Sequence, residues 1–207
     1  MLKTWLIFDK QLSMNNQVNE ICKSGFYHIR NLWRIRKFLN SEQANVVAHA
    51  FVTSKLDYGN ALLGGAPKFQ INKLQLVQNA AARVIKKVKK YDSISDSLKE
   101  LKWLPVGHRI MLKHNTLTWK ALYRQSPKYI SDMIVERACG NNLRSGETKV
   151  LNIPRTNLKS VGDKAFSVIA PKSWNKLPQK LRMNENFQSF RLGLKSYYLN
   201  MAFDSLD

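Results

Sequence analysis

From Leu74 to Lys90 the chain reads LQLVQNAAARVIKKVKK, a spacing that only a helix can sort into two faces. At about 100° of rotation per residue, Leu74, Val77, Ala81, Ile85 and Val88 fall on one stripe. Asn72, Gln75, Asn79, Arg83, Lys86, Lys87 and Lys90 fall opposite. Pro67 suits a first helical turn, where its missing N–H costs nothing, so the helix is predicted from there to about Val88. At ~1.5 Å per residue it spans roughly 30 Å. No acidic residue lies between Tyr58 and Tyr91. A solvent face ordinarily mixes both signs and gains i,i+4 pairs, so a face of cations without acids points to a polyanion.

The same periodicity recurs along the chain and predicts a mainly α fold, a multi-helix bundle with a short N-terminal strand and a second short strand near 149–153. Trp5 to Phe8 is the N-terminal strand candidate, within residues 1–12. Residues 13–90 form a first helical region. In it, a helix capped by Ser13 buries Val18, Ile21, Cys22, Gly25, Ile29, Leu32 and Trp33 and ends near Leu39. A second helix starts at Ser41 with Val46, Val47, Ala50, Phe51, Ser54 and Leu56 inside, and Asp57-Tyr58-Gly59-Asn60 bends it. Residues 91–135 continue the helices: a short one capped by Ser93 or Ser95, one from Val106 to Tyr123 with Arg109, Lys113, Lys120 and Arg124 on one stripe, and a piece over 127–135. The Gly-, Asn- and Ser-rich stretch 136–160 reads as loop or linker. Residues 161–207 hold a helix capped by Asp163 and a last one from about Asn186 to Met201.

Composition narrows the function classes. The 207 residues carry 34 Lys and Arg against 14 Asp and Glu, a formal net charge of +20. Such an excess repels itself unless a polyanion neutralises it, which makes RNA or DNA the leading partner. A membrane is disfavoured: no apolar run is long enough to span a bilayer, and no helix joins a large exposed apolar face to a basic one. Cys22 and Cys139 read as reduced thiols, which suits an intracellular protein, nuclear or cytoplasmic, rather than a secreted one. Neither they nor His28, His49, His108 and His114 fall in a metal-ligand spacing, and His49 and His114 read as core imidazoles. No cofactor or metal is expected. Two-metal polymerase chemistry needs at least two convergent carboxylates, and no two acidic residues are adjacent here. No catalytic residue is expected.

Read in order, VNEICKSGFYHIRNLWRIRKFL, AHAFVTSKLDYGNALLGGAP, INKLQLVQNAAARVIKKVKK, LKELKWLPVGHRI, LTWKALY, IPRTNLKSVGDKAFSVIAPKSWNKLP and FQSFRLGLKSYYL resemble the C-terminal part of reverse transcriptases from non-LTR, LINE-type retrotransposons. The likeness covers nearly the whole chain. It implies that residues 1–12 are a remnant of the palm's edge strand, that 13–90 are a thumb-like region, and that the remainder is a C-terminal extension. The family is an RNA-directed DNA polymerase, but its paired palm aspartates have no counterpart in this sequence. The resemblance therefore implies backbone contacts to an RNA template or RNA–DNA duplex, from Arg30, Arg34, Arg36, Lys55, Asn79, Arg83, Lys86 and Lys87. Lys90, Arg109 and Lys113 join them as cations on the faces described above. A polymerase palm is an implied protein partner. Two other readings stay open: a helical module whose role is docking on such a palm, and a relic of a decayed element.

Overall fold

Helix α1 (Asn15–Ile35) and helix α4 (Lys68–Lys86) form the centre of the first half of the molecule. α1 buries Val18, Ile21, Gly25, Ile29 and Leu32. α4 meets them with Leu74, Val77, Ala81 and Ile85, all fully buried. The computed structural model describes residues 6–10, 12–137 and 149–203. Within them the chain is mainly helical, as its periodicity predicts.

The two central helices approach closely because Gly25 faces Val77. A Cβ on Gly25 would sit 2.6 Å from Val77 Cγ1. Alanine in a helix interior is favoured over glycine by about 1 kcal/mol, but overpacking a tight contact costs roughly 1–3 kcal/mol, and the β-branched, fully buried Val77 has no free rotamer to move into. Gly25→Ala should therefore lower the melting temperature by a few degrees, roughly 2–4 °C per kcal/mol. A melting temperature equal to or above the wild type would show that the contact is looser than this.

After a 3-10 turn, Arg36–Phe38, helix α2 (Ser41–Ala48) begins behind an Asn40–Gln43 capping box. It runs through a π-helical turn, His49–Thr53, into α3 (Ser54–Asp57). The buried face is Ala44, Ala48, Val52 and Leu56, whereas Val46, Ala50, Phe51 and Ser54 are exposed. This corrects the face expected from an unbroken α-helix. The extra residue in a π turn advances the face by one position, so Val52 takes the place that Phe51 would occupy. Gly59, at φ +64°, ends α3, and a 3-10 turn, Asn60–Leu63, comes next.

Past α4, helix α5 (Ser95–Glu100) is short, and helix α6 (Val106–Leu122) joins two cores. Its first turns, Val106 and Ile110, belong to the core around α1 and α4. Its last turns, Trp119 and Ala121, belong to a second core with Leu151, Ala170, Trp174, Phe190, Leu194 and Tyr198. α4 supports the start of α6 with side chains: Val106 N–H donates to Gln75 Oε1 at 2.8 Å, and Gln78 Nε2 donates to the Leu104 carbonyl at 2.8 Å. Helices α7 (Lys128–Ser131), α8 (Lys159–Gly162), α9 (Phe166–Trp174), α10 (Gln179–Arg182) and α11 (Phe187–Phe203) complete the second half. Asn115 Nδ2 ties three helices together by donating to Tyr198 Oη at 2.6 Å and Ser173 Oγ at 3.1 Å. Trp103 and Trp174 are buried.

Several local expectations are corrected. No strand forms over the described part of the N-terminal candidate, Leu6 to Phe8: among the described residues no partner strand is beside it, and Ile7 N–H donates to Gln17 Oε1 instead, at 2.9 Å. Trp5 lies outside the described residues. Ser13 does not cap α1. Its N–H and hydroxyl both donate to the Asp9 carboxylate, at 2.6 and 2.7 Å, which holds that carboxyl below the usual range. The chain then enters α1 through Met14 at φ 60°. Neither Ser93 nor Ser95 caps α5, which begins after Ile94 at Ser95 itself. The strand near 149–153 reduces to one antiparallel bridge between Glu136 and Leu151. The described part of the expected linker is docked: Asn175 bonds both the N–H and the carbonyl of Leu151, and Trp174 Nε1 donates to the Lys149 carbonyl. Asp163 caps no helix. It accepts from Thr156 Oγ1 at 3.0 Å and Lys172 Nζ at 3.3 Å, and α9 starts three residues later.

Candidate nucleic-acid interface

α1 and α4 run into the surface side by side at their C-terminal ends, and a cleft of about 730 Å³ opens between them. It is lined by Trp33, Arg34, Arg36, Lys37, Arg83, Val84, Lys87, Val88 and Lys89. Six of these nine are cations, and none is an acid. Lysine and arginine in a last helical turn are favoured by the negative end of the helix dipole, which accounts for part of the clustering. Two helix ends converging on one cleft add their cations together, and that goes beyond what either end needs.

The walls are fixed by hydrogen bonds. Lys87 takes a left-handed conformation, φ 56°, which terminates α4. The chain then folds back on Arg83, whose Nε and Nη2 donate to the carbonyls of Lys89 at 3.3 Å and Asp92 at 3.2 Å. Lys89 N–H is held by the Asp92 carboxylate at 3.2 Å. On the facing wall Arg36 is only 6% exposed. Its Nε donates to the Val84 carbonyl at 3.0 Å, Nη1 to the Leu39 carbonyl at 2.5 Å, and Nη2 to the Ile85 carbonyl at 2.6 Å and Ser41 Oγ at 3.2 Å. It thus ties the ends of α1, α2 and α4 into one corner.

Of the residues expected to touch nucleic acid, the fold brings Arg34, Arg36, Arg83 and Lys87 into the cleft. Arg36 is a correction: its donors are spent on carbonyls, so it supplies positive potential and rigidity rather than a contact. Arg30 is exposed one turn before Arg34. Lys90 neighbours the cleft in sequence, its Nζ 5.5 Å from the Tyr91 ring centre. Four others are committed elsewhere, which corrects the view of the α4 outer face as unpaired. Lys86 forms an ion pair with Glu100. Asn79 accepts from Gln75 Nε2 at 2.8 Å. Lys55 donates to Ser24 Oγ at 2.7 Å. Arg109 grips Asp57 with two donors, Nε at 2.8 Å, so the Asp57 carboxylate is occupied as well. Lys113 lies on α6, away from the cleft lining.

Lys89 escapes the sequence reading; Lys37 is legible there only as part of the cationic cluster that ends the first helix, and Trp33, near enough to Arg36 to suggest a base-stacking ring, reads more readily as core. Helical spacing places Trp33 inside, four residues after Ile29, yet it is 68% exposed. Its direct attachment to Arg34 is the signal that sequence offers.

The histidines do not add to the charge. Burial depresses all four, with Lys55 reinforcing it at His28 and Arg109 at His49. His114 is a core imidazole as expected, but His49 is exposed, because it sits in the π-helical turn off the buried face; it bonds Thr53 Oγ1 through Nδ1 at 2.8 Å, and Trp103 Nε1 donates to its Nε2 at 3.2 Å, which fits a neutral ring. Burial raises the Cys22 thiol, so little thiolate forms there, while Cys139 lies outside the described residues. Among the described residues no three His, Cys, Asp or Glu side chains gather as a metal site, and no helix is long and apolar enough to cross a membrane. Comparison of the chain with protein-family models, curated proteins and solved structures finds no match in any of the three.

Proposed function

We propose that this chain binds the backbone of RNA or DNA in the cleft between the ends of α1 and α4. The observation that carries the reading is the cleft lining, six cations and no carboxylate, on a chain of net charge +20. The resemblance to the thumb and C-terminal extension of non-LTR retrotransposon reverse transcriptases supports it from the sequence side. On this reading the chain contributes grip to a polymerase whose palm carries the chemistry, acting on nucleic acid inside the cell. Lys and Arg neutralise phosphates with little reading of bases, so binding is sequence-tolerant and salt-sensitive, with dissociation constants of roughly 10⁻⁴–10⁻⁶ M at physiological salt. Titration of labelled RNA at a series of salt concentrations tests this. A straight, steeply falling plot of log K against log salt is expected; an affinity independent of salt rejects the proposal.

A further inference from the structure

We infer that the cleft takes an unpaired strand, with a base stacked on Trp33. This rests on the reading of the cleft as a nucleic-acid site and specifies its ligand. The chain places its other described tryptophans, Trp103, Trp119 and Trp174, at 2% exposure or less, yet leaves Trp33 at 68% on the cleft wall. A ring that large held open to water contributes little to the fold, and it stands between the buried Leu32 and the exposed Arg34. Two more aromatics adjoin cleft residues in the chain. Phe38, 76% exposed, is next to Lys37, whose Nζ lies 4.8 Å from its ring centre. Tyr91, 90% exposed, lies two residues beyond Lys89.

Exposed ring faces interleaved with cations are how single strands are held: phosphates meet the cations while bases, free of partners, lie on the rings. A duplex presents only its phosphates, because its bases are already stacked on one another, and it would leave Trp33 unused. The cleft, about 730 Å³, has room for a short run of nucleotides.

The test compares a short labelled oligouridylate with an RNA–DNA duplex of equal length, at one salt concentration, by fluorescence anisotropy. The wild type should bind the single strand more tightly and show quenched tryptophan emission on binding. Trp33→Ala should weaken single-strand binding about tenfold and leave duplex binding unchanged. Trp33→Phe should keep most of the affinity while losing the quenching. Circular dichroism should show both variants folded, since the side chain is outside the core. Equal single-strand affinity for Trp33→Ala and wild type, tighter binding to the duplex, or preferential partition onto phosphatidylserine vesicles would each overturn the inference. Salt-dependent binding that prefers the duplex leaves the proposed function standing. Binding to neither nucleic acid removes both.

Discussion

Arg36→Ala should cost about 2–4 kcal/mol of stability, roughly 5–15 °C in melting temperature for a chain of this size, the largest loss expected from any single cation here. The guanidinium donates to three backbone carbonyls and one hydroxyl from a site 6% exposed. Two of those carbonyls, Val84 and Ile85, are in the last turn of α4, where no N–H of the helix reaches them. Alanine leaves them without a donor and also removes a cation from the negative end of that helix. Lysine keeps the charge but has one nitrogen in place of a planar fork, so Arg36→Lys should recover only part of the loss. Arg34→Ala, two residues away and exposed, should stay within ~0.5 kcal/mol of wild type. Thermal or denaturant melts decide it: if Arg36→Ala and Arg34→Ala melt alike, the corner is not held as described.

The second large effect concerns binding. Arg34→Ala, Lys37→Ala, Lys87→Asn and Lys89→Ala together remove four cleft cations, with asparagine chosen at 87 because it tolerates the left-handed backbone there. Each lost phosphate contact lowers the salt slope by roughly 0.7–0.9, so the four should flatten it by about three units and weaken binding on the order of 10³-fold at about 0.1 M salt. The control is four exposed cations away from the cleft, Lys128, Lys180, Arg191 and Lys195, replaced by alanine. It changes net charge equally. If the control flattens the slope as much as the cleft variant does, overall charge drives binding and the cleft is not the site.

The helical elements are legible in the sequence because each pays for its formation with a regular apolar stripe, and α1, α4, α6 and α11 sit close to where that stripe places them. Single side chains are harder to place. The stripe of α1 steps Val18, Ile21, Gly25, Ile29, Leu32, and the next position at helical spacing is Arg36. The pattern itself puts Arg36 inside, against the expectation that its charge creates. Trp33 shows the converse: at four residues from Ile29 it meets the helical spacing, yet it stands outside while Leu32 beside it is buried. The face after α2 shifts by one position because a π turn leaves no mark on apolar spacing until its hydrogen bonds are seen. Among the candidate cations, sequence can count Lys55, Lys86 and Arg109 but cannot see Ser24, Glu100 and Asp57 arriving from 31, 14 and 52 residues away to occupy them. Such partners are set by how helices cross.

Because α6 places its first turns in one core and its last turns in the other, neither half of the chain is a separable part. A boundary drawn at the Gly-rich stretch after Arg137 would strip Trp119 and Ala121 of Trp174, Phe190 and Leu194, leaving half of a helix bare while its other half still had Leu74 and Val77 to pack on. The basic cleft lies wholly in the first half, yet it depends on the second for a helix that would otherwise fray from its far end. Such a layout makes the second half a counterweight: none of its described residues lines the cleft, and a deletion there would be felt in it.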